Sequence, residues 1–303
     1  MDSRRRWRLA LATLAFVSWA PATFVALPFA GLMAVTGPRT RAQWALTLLN
    51  GLLSVMFLFT ATGDALTAVL RTYIILVSSA FVVLSAVAPA RFLRQALRAS
   101  GLGLACVLVL SRIILGRHAG DMLEWEATRQ ASESLRLAIG VRPELYAVYE
   151  PVVRFIGRTV PAMLVLQAFS GLALAWQWHQ EVADRPLGAP LARFRDFGFG
   201  DAWVWGLVTA ITIWITPVLG VLKTAALNLL VILGAFYLLR GAAIVVAFAA
   251  TAGVSTTALV LGLAVSAVLA VPMAFILPGL TTLGVSDTWL QFRRRLVSRR
   301  TPS

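Results

Sequence analysis

Long apolar runs separated by short basic segments make up most of this chain. A helix needs about 20 apolar residues to cross a bilayer, and it pairs its own backbone groups where lipid offers no hydrogen bonds. The pattern therefore predicts an all-α fold, a polytopic bundle of transmembrane helices with roughly 8–10 membrane segments. The runs lie at residues 9–36, 45–63, 65–90, 101–116, 159–178, 203–222, 224–250 and 255–286.

The first and last runs, of 28 and 32 residues, are too long for one upright helix. Pro21 and Pro28 interrupt the first run, and Pro272 and Pro278 interrupt the last. Proline removes a helix hydrogen bond and clashes with the preceding turn. Each run is therefore either one kinked, tilted helix or a hairpin of two short helices.

The basic segments between the runs bear on this choice, because cytoplasmic loops carry an excess of Lys and Arg. If all of them face the cytoplasm, an even number of crossings separates each neighbouring pair, and both terminal runs must be hairpins. Eight spans with kinked ends is the alternative. Both topologies place both termini in the cytoplasm, and residues 291–303 form a basic cytoplasmic tail. The basic segments are residues 4–8, 39–41, 91–98, 185–195 and 293–300.

Composition supports lipid as the main solvent. The chain is 59% hydrophobic and only 13% charged, whereas soluble domains carry about 25% charged residues. The net charge of +14 would suggest nucleic acid in a soluble protein. Here the charge lies in membrane flanks, so the lipid bilayer is the expected partner and nucleic acid is not. We expect residues 1–303 to form a single integral membrane domain in the bacterial inner membrane, with the signal-like N-terminus retained as its first membrane segment.

Residues 117–158 differ from the rest of the chain. This segment holds six Arg and six Asp or Glu residues, and long neutral loops are tolerated outside the cytoplasm. Glu126, Arg129, Glu133 and Arg136 alternate in sign at helical spacing. We predict an extracytoplasmic helical insertion here, with Met122 and Trp125 on the apolar face of its first helix.

Ionisable and amide side chains inside apolar runs are candidates for function, because burying them in lipid is costly. Arg240 lies well inside the run 224–250, and Asn228 lies in the same run. Asp64 and Arg71 lie at and after the start of the run 65–90. These residues are predicted to bind a ligand. The alternatives are that Arg240 snorkels or locks helices, Asn228 bonds to another helix, and Asp64 caps the helix that begins at Ala65.

Motifs of catalysis and metal binding are missing from the sequence. His118 and His179 are assigned to loops and have no ligand spacing to other His or Cys residues. No Walker A, zinc-protease or serine-hydrolase pattern occurs. The sequence therefore indicates a protein that is not an enzyme, with no catalytic residue, metal site or cofactor.

Alanine recurs at every fourth position in the first apolar run. On a helix these side chains form one narrow stripe, against which another backbone can approach closely. The stripe predicts a helix–helix contact, either within the protein or with a docking partner. Its members are Ala22, Ala26, Ala30 and Ala34.

Several stretches together resemble one family. Four segments resemble, in the same order along the chain, segments of the DUF2232 (YybS-like) bacterial membrane proteins. They are "RTVPAMLVL" (158–166), "LARFRDFGFGDAWVW" (191–205), "NLLVILGAFYLLRGAAIVVAF" (228–248) and "GVSDTWLQFRRR" (284–295). The resemblance implies that Asp287, Trp289 and Arg293 are signature positions at the inner membrane face. Asp287 would cap a last short helix or pair with arginines at 293–295. The chain departs from the family at Arg240, where glutamine is more usual.

The resemblance also implies a function in transport. The family's hydropathy pattern is similar to that of the substrate-binding S components of energy-coupling-factor transporters, which dock a coupling subunit through an alanine stripe on their first helix. The chain would then be a small-molecule-binding transporter subunit that works with a coupling subunit and separate ATPases. The alternative is a non-transporting membrane scaffold that binds envelope or morphogenesis proteins.

Overall fold

Residues 3–60, 63–88, 91–140, 145–269 and 271–292 are described by a computed structural model of the chain. In these ranges the chain forms helices and no β-strand, which confirms the predicted all-α fold class. The first six helices are α1 (Ser3–Val17), α2 (Thr23–Thr36), α3 (Arg41–Phe59), α4 (Ala65–Val87), α5 (Phe92–Leu115) and α6 (Ala119–Ile139). The others are α7 (Leu145–Arg158), α8 (Val160–Val182), α9 (Trp203–Ile215), α10 (Lys223–Thr251), α11 (Thr256–Leu269) and α12 (Val271–Leu290).

Five of the described helical segments are long and apolar enough to cross a membrane, so the chain is a polytopic membrane protein. Two shorter apolar helices, α2 and α9, accompany them. The five segments are α3, α4, α5, α8 and the 35 residues Pro217–Thr251, in which a 3₁₀ turn leads into α10.

The chain divides into two compact units, residues 1–191 (unit 1) and 192–303 (unit 2). Unit 1 contains α1 to α8, and unit 2 contains α9 to α12. We predicted that residues 1–303 form one domain embedded in the membrane, and this stays a prediction.

The direction of α1 in unit 1 follows from two hydrogen bonds to α8. Trp178 Nε1 donates to Thr13 Oγ1 at 2.8 Å. Near the other end of α8, Gln167 Nε2 donates to the carbonyl oxygen of Trp19, just after α1, at 3.1 Å. Residue numbers rise along α1 as they fall along α8, so the two helices are antiparallel.

The direction of α2 is the reverse. Phe24 packs so closely on Gly171 that a Cβ at Gly171 would lie 2.7 Å from Phe24 Cβ. Twelve residues later, Thr36 Oγ1 lies 3.3 Å from His179 Nε2. The helix α2 therefore runs parallel to α8 and antiparallel to α1. The first apolar run is a hairpin with its turn at residues 18–22, as the distribution of basic segments predicts.

An aromatic cluster forms the centre of unit 1. Phe81 makes edge-on contacts with Phe92 and Trp176, with ring centroids 5.8 Å apart in both pairs. Phe24 packs edge-on against Tyr73 at 6.2 Å. These rings come from α2, α4, α5 and α8, so their burial joins the apolar faces of four helices.

The helices α6 and α7 form a charged pair, which confirms that 117–158 is largely helical. Arg129 bridges Glu126 at 2.5 Å and Glu133 at 2.6 Å, as the alternating charges predict. Met122 and Trp125, predicted to lie on the apolar face of this helix, are exposed, whereas Glu126 is buried. The side of α6 that carries Thr128 faces α7, because Gly157 of α7 packs against Thr128. The extracytoplasmic position of this pair stays a prediction.

In unit 2, α10 and α12 cross at unusually close range. A Cβ on Gly241 would overlap the carbonyl oxygen of Leu280, and one on Gly284 would overlap the carbonyl oxygen of Tyr237. The lower-numbered residue of α10 contacts the higher-numbered residue of α12, so the two helices are antiparallel. Glycine at both positions lets the two backbones touch.

The last apolar run contains two helices, α11 and α12. The helix α12 is antiparallel to α10. Residue 270, between α11 and α12, lies outside the described residues. The choice between a hairpin and one kinked, tilted helix therefore stays a prediction for this run.

Candidate functional site

The most unusual polar group of unit 2 is Arg240, near the middle of α10. Its Nε donates to Asp287 Oδ2 of α12 at 3.0 Å, and its Nη1 donates to Asp201 Oδ1 at 2.9 Å. The side chains of Arg240 and Asp287 are 7% and 4% exposed, whereas that of Asp201 is 55% exposed. We call these three residues the Arg240 site.

The turn before α9 supplies the outer part of the site. Asp201 lies two residues before the start of α9, so its carboxylate reaches Arg240 from the helix end. Phe199 places its ring 5.7 Å from Arg240 Cζ, within range of a cation–π contact. The same ring packs edge-on against Tyr237, at 4.9 Å between centroids, which fixes its position against α10.

The inner part of the site is Asp287, whose two oxygens have different roles. One binds Arg240, and Oδ1 accepts a hydrogen bond from the backbone N–H of Phe292 at 2.9 Å. Asp287 therefore both closes the end of α12 and pairs with an arginine, but that arginine lies on α10. Arg293, the third expected signature residue, lies outside the described residues. Trp289 is 65% exposed, as a residue at a membrane interface would be.

The Arg240 site joins opposite charges. Among the described residues, its one guanidinium faces two carboxylates. A buried ion pair is stable only when its hydrogen bonds are satisfied. Asp287 satisfies that requirement from inside the unit, while the half-exposed Asp201 occupies the Nη1 position on the accessible side.

Asn228 is buried in α10, twelve residues before Arg240. Its Nδ2 donates to the carbonyl oxygen of Thr224, one turn earlier in the same helix, at 2.8 Å. The structure thus places Asn228 and Arg240 on one helix without bringing their polar groups together.

Asp64 caps α4, which confirms the structural alternative for this residue. Its Oδ1 accepts from the backbone N–H of Thr67 at 2.6 Å, and its Oδ2 accepts from the Thr67 hydroxyl at 3.0 Å. The Thr67 backbone hydrogen bond lowers the pKa of Asp64 below its ordinary value, and the nearby charge of Arg129 adds to the effect. The carboxylate is therefore ionised, as an N-cap favours.

Arg71 also binds within unit 1. Its Nη1 donates to the carbonyl oxygen of Leu58 at 3.2 Å, and its Cζ lies 5.5 Å from the centroid of the Phe57 ring. Both partners belong to α3, so Arg71 joins α4 to α3. Asp64 and Arg71 belong to unit 1, whereas Asn228 and Arg240 belong to unit 2.

The alanine stripe is not evenly accessible. Ala26 is 3% exposed, Ala30 is partly buried, and Ala22 and Ala34 are exposed. Ala22 and Ala26 line a cavity of about 440 Å³ together with residues of α3. The stripe is therefore covered within the protein at Ala26, while Ala22 and Ala34 are accessible.

Sequence reasoning missed two features. Asp201 was not considered as a partner of Arg240, although an acid directly before an apolar run is the group that a buried arginine needs. His179 was assigned to a loop but lies in α8 and is completely buried. Its partner Thr36 is 143 residues away, so no local signal could have found the contact.

The described residues contain no group of three His, Cys, Asp or Glu side chains that could hold a metal ion. Comparisons with protein-family models, with curated proteins and with solved structures found no match. The resemblance to the DUF2232 family therefore gains no support from them and stays a prediction. The function has to be argued from the geometry of the chain itself.

Proposed function

We propose that this protein is a subunit of a bacterial inner-membrane transporter and binds a small organic anion at the Arg240 site. The observation that carries the proposal is the pairing of the buried Arg240, through Nη1, with the half-exposed Asp201. Both termini lie in the cytoplasm in this proposal. The energy comes from separate ATPases, because the sequence contains no Walker A motif of its own.

The two carboxylates of the site have different functions in this proposal. Asp287 is buried and holds the guanidinium through Nε. Asp201 is held only at the accessible side, so a carboxylate or phosphate oxygen of a ligand can replace it on Nη1. Arginine suits this exchange because its planar donors match such oxygens, and burial protects the new contact from solvent screening.

If a ligand oxygen replaces Asp201 on Arg240 Nη1, Asp201→Asn should tighten anion binding. Asparagine keeps the size of the side chain but removes the charge that competes with the ligand. We expect about tenfold stronger binding, equivalent to about 1.4 kcal/mol. The measurement is the thermal stability of the purified chain in mild detergent with succinate, citrate or inorganic phosphate, since a ligand stabilises the state that it binds.

The matched control for this experiment is Asp196→Asn, which removes the same charge from an exposed carboxylate nearby in sequence. That variant should bind like the unmodified chain. Equal shifts for both variants would show only a general charge effect. Absence of any shift with all three anions would exclude the proposed ligand class at this site.

A second experiment decides between a transporter subunit and a scaffold. The scaffold alternative is favoured by the ion-paired helices α6 and α7, which expose Trp125 and Met122 to a partner. The tagged full chain would be purified in mild detergent and its partners identified by mass spectrometry. We expect a membrane coupling subunit and ATPases. We expect Ala34→Trp to lower their recovery severalfold, because a bulky ring on the exposed part of the alanine stripe would prevent close approach of a partner helix.

The control here is Ala45→Trp, which adds the same ring at an exposed position of α3. Recovery of the ATPases with both variants would place docking elsewhere than the alanine stripe. Recovery of envelope or division proteins in place of ATPases would replace the transporter proposal by the scaffold.

A further inference from the structure

We infer that the cavity beside the turn between α1 and α2 binds a long-chain monocarboxylate. The cavity has a volume of about 440 Å³, within the range of about 300–1,000 Å³ that is usual for ligand pockets. It lies entirely within unit 1, so the inference does not depend on the Arg240 site. We call it the α2 cavity.

The apolar part of the cavity fits a hydrocarbon chain. Ala22 and Ala26 of α2 form one wall, and Leu53 and Phe57 of α3 form the opposite wall. The small alanine side chains leave the space, and the larger side chains of α3 bound it. An extended chain placed here would bury apolar surface on both sides, which is favourable at about 25 cal/mol per Å².

The polar end of the cavity is Thr23, in the first turn of α2. Thr23 is 4% exposed, and its Oγ1 has no hydrogen-bond partner among the described residues. The carbonyl oxygen one turn earlier, that of Trp19, already accepts from Gln167. A buried hydroxyl without a partner is unfavourable, because no hydrogen bond offsets the loss of its hydration. Rotation about χ1 exchanges the hydroxyl and the methyl group, and threonine in helices uses two such rotamers, so the hydroxyl can reach a ligand in the cavity.

The charge around the cavity favours an anion. No side chain caps α2, where Ala22 occupies the N-cap position. The N–H groups of Phe24 and Val25 donate to the carbonyl oxygens of Pro21 and Ala22, and the helix dipole attracts negative charge to this end. Arg71 lies over the Phe57 ring that bounds the cavity. The lining itself contains no acidic residue. A carboxylate head group next to Thr23 with its chain between α2 and α3 satisfies all three features.

The test is native mass spectrometry of the delipidated full chain, released from detergent, with palmitate as the probe. Hexadecanol has a chain of the same length without the carboxylate, and dipalmitoyl phosphatidylglycerol supplies the same chain in a phospholipid. We expect one palmitate per chain, bound about tenfold more tightly than hexadecanol, the difference that a hydrogen bond to a charged group makes.

Two variants locate the site. Thr23→Val keeps the shape of the side chain and should weaken palmitate binding about tenfold, while Ala26→Met should fill the cavity and abolish binding. The controls are Thr72→Val, whose hydroxyl bonds its own helix, and Ala45→Met on the exposed face of α3. Both controls should bind palmitate normally. If Ala26→Met fails to fold, the isosteric Thr23→Val still decides.

Three results would overturn the inference. Equal affinity for palmitate and hexadecanol would remove the role of the polar end. Equal binding by Thr23→Val and Thr72→Val would place palmitate elsewhere. Binding of the phospholipid without palmitate, or of none of the three probes, would exclude a monocarboxylate as the occupant of the α2 cavity.

Discussion

Arg240→Met is expected to lower the free energy of unfolding by about 3–5 kcal/mol, the usual cost of removing one partner of a buried ion pair. The loss arises because Asp287, which is 4% exposed, would keep its charge while the guanidinium that it faces is removed. Methionine replaces most of the arginine stem, so the change in packing is small. The measurement is equilibrium unfolding in mixed detergent micelles, followed by tryptophan fluorescence.

The double variant Arg240→Met, Asp287→Asn separates the charge from the packing. Asparagine keeps an oxygen that can accept the hydrogen bond from the Phe292 N–H but carries no charge. Stability should return to within about 1–2 kcal/mol of the original chain, because an ion pair replaced as a whole often costs little. Equal losses in the single and double variants would show that shape, and not charge, makes Arg240 important to the fold.

Gly241→Ala is expected to destabilise the chain by about 3 kcal/mol or more, at or beyond the upper end of overpacking effects. The added methyl group would overlap the backbone carbonyl oxygen of Leu280, and a backbone carbonyl cannot rotate away as a side chain can. The helices α10 and α12 would have to separate, which would also stretch the contact between Arg240 and Asp287. The same unfolding measurement applies.

Gly234 offers a matched control seven residues earlier in α10, because a Cβ there has open space around it. Alanine is the better helix former by about 1 kcal/mol, so Gly234→Ala should leave stability unchanged or raise it. If both alanine variants behaved alike, the close approach at Gly241 would not contribute to stability.

Local features of the fold were predictable from the sequence because their causes are local. Pro21 interrupts the first run, and the chain turns there. Asp64 precedes an apolar helix and caps it. Charges at helical spacing around Arg129 form the expected bridges. Each of these depends on residues within about four positions of one another, the distance over which helix geometry alone brings side chains together.

The distribution of basic segments predicted a hairpin at both terminal runs. The first run is one, because α1 and α2 have opposite directions along α8. The rule concerns the side of the membrane on which loops lie, so it can favour a reversal of the chain where proline alone leaves a kink or a turn open. For the last run the hairpin stays a prediction.

The candidate site shows most clearly that sequence patterns do not reveal which distant residues meet. The sequence identified Arg240 and Asp287 separately, the first because it lies within an apolar run and the second through a resemblance. It did not join them. Their contact spans 47 residues, and that of Arg240 with Asp201 spans 39. Such pairs depend on the directions of the helices and on the positions along them at which they cross.

Composition and periodicity by themselves determined that this protein is helical, that lipid is its main solvent, and in which parts of the chain the long apolar helices lie. They did so because the cost of burying backbone and charge in lipid applies to every residue separately. The tertiary structure alone decided which polar groups meet. Gly241 and Gly284 allow α10 and α12 to touch, and that approach places Arg240 against Asp287. The tertiary structure was needed to show this, because no property of one helix specifies its neighbour.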